Sequence, residues 1–167
     1  MAAIKIAPFD RYRTLDVLNG VAESGRAAEI GLYTGNDDHI VFDLIGSFRG
    51  LRVVGGLLGQ WAVWTRRAVE LHRDLRADPG AARWRTVANE LTDANAAIFD
   101  VLHGYRGCIA GIHEVLRGQG LLEGIWCLDP AEGLSPGQAE EIARVRAAYP
   151  HLADDEFVER NRDRWLC

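Results

Sequence analysis

Glu29-Ile30-Gly31-Leu32-Tyr33-Thr34 runs directly into Gly35-Asn36-Asp37-Asp38. An apolar and aromatic stretch that stops at a glycine and a run of Asn and Asp reads as a strand leaving into a turn. A short helix follows, with Ile40, Val41, Leu44 and Ile45 as its apolar positions. The same order of parts lies on both sides. Upstream, Ala2-Ala3-Ile4-Lys5-Ile6-Ala7 reads as a buried strand ended by Pro8. Asp10 is placed to cap a helix over about residues 11–24, with Leu15, Leu18, Val21 and Ala22 on one face and Gly25 as its stop. Downstream, Leu51-Arg52-Val53-Val54 reads as a third strand that breaks at Gly55-Gly56. Trp61, Trp64, Ala68, Leu71 and Leu75 then recur at helical spacing over about 60–76, and the Trp pair reads as core. Strand and helix in alternation, joined by short loops, predict βαβ units on a parallel sheet and therefore an α/β fold.

Parallel sheets place their sites at the carboxyl ends of the strands. Three features are expected there: Lys5, the Gly35-Asn36-Asp37-Asp38 turn and the Gly55-Gly56 turn. Lys5 is the only lysine in the chain, whose other eighteen basic side chains are arginine. An amine in apolar surroundings favours its neutral form, and a neutral lysine is the nucleophile that forms Schiff bases with carbonyl substrates. The ordinary alternative is an arginine-biased composition with a solvated lysine near the terminus. The glycines would let a ligand approach the backbone. Asp37 and Asp38 would either orient substrate hydroxyls or water, or cap the helix that follows. Neither glycine turn matches a P-loop or a dinucleotide fingerprint.

Composition narrows the function classes. A chain of 167 residues can bury a real core. A net charge of −5 with scattered arginines argues against nucleic acid as a partner. No apolar run approaches a membrane span, and the start lacks the pattern of a secretory signal. Cys108, Cys127 and Cys167 match neither a zinc pattern nor a disulfide framework, so reduced thiols and a cytoplasmic setting are expected. His103, His113 and His151 are not at metal-ligand spacing.

From residue 77 onward the pattern is helical. Asp78-Pro79-Gly80 reads as a linker, dividing the chain into residues 1–76 and 77–167. A long amphipathic helix is expected over about 81–103, with Trp84, Val87, Leu91, Ala94, Ile98 and Leu102 on one stripe. A second is expected over about 107–118, then an extended run from Leu121 to Leu128. Ser135, Pro136 and Gln138 form a helix start, with Ser135 as N-cap and Gln138 as capping-box partner. That helix ends at Pro150, and a last one spans about 154–165.

In this order the parts resemble the back half of the dihydrodipicolinate synthase / N-acetylneuraminate lyase superfamily, whose members are (β/α)8 barrels with a helical C-terminal extension. Ile4-Lys5-Ile6 looks like the sixth strand with its Schiff-base lysine. Tyr33-Thr34-Gly35-Asn36-Asp37-Asp38 looks like the seventh, and Val53-Val54-Gly55-Gly56-Leu57-Leu58-Gly59 like the eighth. Residues 61–76 look like the eighth helix, and residues 81–149 like the extension. The resemblance implies a C-terminal part of a TIM barrel, strands six to eight, over residues 1–76, with the extension over 77–167. It implies class I aldolase or lyase chemistry on pyruvate or another 2-oxo acid, with Lys5 catalytic and no metal or organic cofactor required. Gly35, Asn36 and Asp37 would border the substrate, and Gly55, Gly56 and Gly59 would shape the pocket wall. Departures lie in Ile6-Ala7-Pro8-Phe9-Asp10, which replaces the family's acidic or small residue and glycine turn, and in the absence of strands one to five. Those strands carry the family's proton-relay tyrosine, whose place neither Tyr12 nor Tyr33 matches. Three βα units cannot close an eight-stranded barrel. A complementary N-terminal half-barrel, or association of the chain with itself, is therefore expected. The alternatives are a truncated, non-catalytic remnant and a barrel enzyme that binds phosphate at the strand-seven and strand-eight turns.

Overall fold

The structure is a computed structural model and describes residues 3–167. Ala2, read as the first residue of the opening strand, lies outside the described residues. The fold is α/β. Among the described residues it contains a three-stranded parallel sheet in the order β1 (Ala3–Ile6), β2 (Gly31–Thr34), β3 (Gly55–Gly56). It also contains seven α-helices: α1 (Arg11–Glu23), α2 (Ile40–Ile45), α3 (Thr65–Ala77), α4 (Trp84–Ile98), α5 (Cys108–Gly118), α6 (Gln138–Ala148) and α7 (Asp155–Trp165). Among the described residues no helix is long and apolar enough to cross a membrane.

Two compact units can be distinguished. The first comprises residues 1–58 and 70–89, the second residues 59–69 and 90–167. They do not follow the expected division at residue 76, because α3 and α4 each have residues in both.

In the first unit, Asp10 caps α1 as expected: its backbone is extended, at φ −148°, and its side chain accepts from the Arg13 N–H. Gly25, at φ +70°, takes the left-handed turn that ends the helix region. Leu18 and Val21 of α1 pack with Ile6 of β1 and Leu32 of β2, and Ile4, Leu15, Ile30 and Phe48 close around them. Side chains alternate along a strand. The isoleucines that feed this core therefore leave Ala3 and Lys5 on the opposite face, where both are exposed. The expected fully buried strand is a half-buried one.

The third strand is displaced from its expected place. Leu51 makes only an isolated bridge to Phe48, and the sheet pairing falls on Gly55 and Gly56, opposite Tyr33 and Thr34. Hydrogen bonds from Val54 N to Leu32 O and from Leu57 N to Thr34 O extend the contact on either side. The reason lies at Gly55. A Cβ there would stand 2.6 Å from Tyr33 Cε1, so only glycine lets β3 slide beneath the Tyr33 ring.

In the second unit the helix expected over 60–76 starts at Thr65. Residues 59–62 form a 3-10 turn, and Trp64, 2 % exposed, sits in the left-handed region at φ 55° and interrupts the helical run. Asp154 accepts from the Arg66 N–H at 3.0 Å, which satisfies a donor in the first turn of α3. The helix expected over 81–103 is α4, which ends at Ile98. Asp100 turns left-handed at φ 57°, and residues 101–103 make a 3-10 turn before Gly104. Leu102, assigned to the apolar stripe, is consequently 86 % exposed. No strand forms over 121–128; that segment is irregular, with Trp126 72 % exposed and Leu128 fully so. At α6 the capping box is half made. Gln138 Oε1 accepts from the Ser135 N–H, but the Ser135 hydroxyl donates to Asp100, and Gly137 takes the N-cap position.

Candidate functional site

The carboxyl ends of β1 and β2 meet at one corner of the first unit. Parallel pairing sets Lys5 directly beside Tyr33, and Tyr33 beside Gly55, in one row across the sheet. Lys5 is exposed and Tyr33 is 37 % exposed, so this row faces outward rather than into a core. The expectation of an amine in apolar surroundings is not met in this chain, because the hydrophobic face of β1 is the other one.

Gly35 is buried at the end of β2, and its N–H donates to Ile6 O at 2.7 Å. A Cβ there would stand 2.6 Å from Lys5 Cε and 2.9 Å from Ala7 Cβ. The lysine side chain therefore runs across the glycine, and the turn predicted to border the substrate is brought against Lys5.

Asn36 is 3 % exposed, and its amide is committed within the protein. Oδ1 accepts from the Phe9 N–H, and Nδ2 donates to Thr14 Oγ1 and Asp43 Oδ2. Asn36 thus holds the corner with its side chain, whose oxygen and nitrogen are both engaged within the protein. Asp37 is half-buried and Asp38 exposed. Helix α2 begins after His39, whose own side chain makes no capping bond. Gly55 is buried under the Tyr33 ring and Gly56 is half-buried. Gly59 belongs to the second unit, where its Cα lies against the Phe99 ring.

One functional-looking group was not singled out from the sequence. Asp43 of α2 has a side chain only 2 % exposed. Its Oδ2 accepts from Thr34 Oγ1 at 2.6 Å and from Asn36 Nδ2 at 3.0 Å. Its Oδ1 accepts from Arg11 Nη1 at 2.5 Å and faces His39 Nδ1 at 3.1 Å. A small cleft of about 40 Å³ beside this network is lined by Asp10, Arg11, Thr14, Asn36, Asp38 and His39. The signal for Asp43 was its position alone, an acid in a six-residue helix otherwise made of Ile, Val, Phe and Leu.

The second unit has its own buried acid. Asp100, 3 % exposed, accepts from Ser135 Oγ at 2.6 Å and from the Gly107 N–H at 2.9 Å, and faces His103 Nδ1 at 2.6 Å. Burial pushes this carboxyl up, but the bonds from Ser135, His103 and Gly107 outweigh it and hold Asp100 below the usual value. Asp93 is also lowered, chiefly by the Arg144 hydrogen bond, with burial opposing and Tyr149 assisting. Among the described residues no three His, Cys, Asp or Glu side chains are grouped to hold a metal ion.

These shifts fix the sign of one pH effect. A carboxyl whose folded value is depressed protonates more readily in the unfolded chain, so its stabilisation is complete above the unfolded value and is lost as pH falls through the folded one. The stabilisation that Asp93 and Asp100 lend the fold will therefore be lost as pH falls below about 4, lowering the thermal midpoint there. Asp100→Asn will flatten that acid limb, as read from thermal midpoints measured across the range.

No protein-family model matches the chain, and no curated protein matches its sequence.

Proposed function

We propose that this chain is the C-terminal part of a (β/α)8 Schiff-base aldolase or lyase of the dihydrodipicolinate synthase / N-acetylneuraminate lyase kind, acting in the cytoplasm on pyruvate or another 2-oxo acid. The observation that carries the reading is the placement of the sole lysine at the carboxyl end of β1, with its side chain across the buried Gly35 of β2. In this mechanism the neutral Lys5 amine adds to the C2 carbonyl, and the carbinolamine loses water to give an iminium. The iminium nitrogen then takes up the electron pair of the bond broken at C3, or returns it to make one. No metal enters these steps. The open face that carries Ala3, Lys5 and Tyr33 would be covered by strands from a complementary half-barrel, which would exclude water from the amine and supply a proton relay.

Pyruvate and cyanoborohydride test the reading directly. Reduction should leave one pyruvate-derived adduct, mapped by peptide mass to Lys5 and distinguished there from any adduct on the α-amine. If Lys5 stays unmodified, alone and with a candidate complementary half, the Schiff-base reading is overturned.

A further inference from the structure

We infer that Asp43 is a positioning residue for Lys5: its carboxylate clamps the Gly35 corner and so sets where the amine stands. The inference rests on the Schiff-base reading for its chemistry, and on geometry for the rest. Thr34 and Asn36 flank Gly35, and both donate to the same oxygen of Asp43. The Asn36 N–H also reaches Thr34 Oγ1, at 3.2 Å, which closes the corner on itself. Asn36 Oδ1 holds the Phe9 N–H at 3.1 Å, so the clamp extends to the chain leaving β1, three residues after the strand ends. Phe9 is held there at φ 52° and is 57 % exposed. A left-handed conformation is costly for an aromatic residue and persists only where its surroundings over-determine it.

The charge is balanced on the far oxygen by Arg11, with His39 beside it, both about half-exposed. Replacing a buried charge together with its partners by apolar side chains is often neutral for stability, whereas removing the carboxylate alone strands the groups that bond to it. The carboxylate also fixes a geometry. Gly35 and Lys5 are in contact, so a shift of the corner moves the lysine side chain with it.

The test compares Asp43→Ala with Asp43→Asn in the full chain. Asparagine keeps one carbonyl oxygen for Thr34 and Asn36, whereas alanine removes the clamp. Two readouts are taken. The first is the ¹³C signal of reductively methylated Lys5, a single internal lysine resonance that needs no substrate. The second is the saturation curve of pyruvate trapping. Asp43→Ala should move the Lys5 resonance and cut the maximal trapping rate about tenfold or more, with half-saturating pyruvate little changed. Asp43→Asn should restore both. A resonance and a trapping rate unchanged in Asp43→Ala would overturn the inference. If the wild type traps no pyruvate, the Schiff-base reading fails while the resonance still decides the positioning. Should Asp43→Ala not fold, Thr34→Val removes one arm of the clamp, and an unmoved resonance there would count equally against it.

Discussion

Lys5→Arg will abolish pyruvate trapping within the chain and leave its thermal midpoint essentially unchanged. The chemical half follows from the guanidinium, which stays protonated and offers no amine lone pair at any pH of the assay. The structural half follows from exposure. Lys5 lies on the outward face of β1, and its backbone pairing with Tyr33 survives any side chain that can follow the same path. Exposed substitutions of this kind usually change stability by less than about 0.5 kcal/mol. Cyanoborohydride trapping with peptide mapping reads the first effect and a melting curve the second. Adduct persisting in the variant, away from the α-amine, would assign the chemistry to another group. A collapse of the melting curve would mean that Lys5 supports the fold.

Asp100→Ala will destabilise the chain by about 3–5 kcal/mol. Three partners lose their acceptor at once: the Ser135 hydroxyl, His103 Nδ1 and the buried Gly107 N–H. The Gly107 N–H cannot turn to water, because Gly107 is itself buried beside Gln138. Alanine also sits poorly at φ 57°, which Asp and Asn tolerate. Asp100→Asn keeps the backbone and most of the acceptor geometry and should cost about 1–2 kcal/mol. Denaturant melts rank the two, and hydrogen exchange at the Gly107 amide locates the loss. Equal stability of the alanine and asparagine variants would show that the conformation at Asp100, and not its hydrogen bonds, matters there.

The sequence carried the parts whose signals are local. Asp10 as a cap, Gly25 as a stop and Pro150 as a barrier to α6 all act within a few residues, and α1, β2, α5 and α7 formed within a residue or two of where they were expected. The parts that depend on packing were not readable. Nothing in Trp61-Ala62-Val63-Trp64 announces a left-handed tryptophan, since neither glycine nor Asn is present to favour it. Asp100 did carry such a signal, with Gly104 close behind, but the apolar stripe running on to Leu102 masked it. For the third strand, Leu51-Arg52-Val53-Val54 has the better strand composition, and the pairing still fell on two glycines, because close approach to Tyr33 outweighed propensity. The strand pattern locates Lys5 near the carboxyl end of β1. Its outward face is not legible, because alanine and isoleucine neighbours suit a strand buried on both sides, while only the isoleucines turn inward.

The irregular stretch between α5 and α6 gives the second unit a predetermined breaking point. Trp126 and Leu128 stand in solvent without helix or strand around them, so a protease with a taste for aromatic and leucyl residues should nick the chain there first. The cut would not free the tail. Gln138 Nε2 still reaches the Ala97, Ile98 and Gly107 carbonyls, Arg144 still forks onto Asp93, and Tyr149 OH still donates to the same acid. The unit should therefore survive as two fragments held together without a covalent link, and separate them only under denaturant.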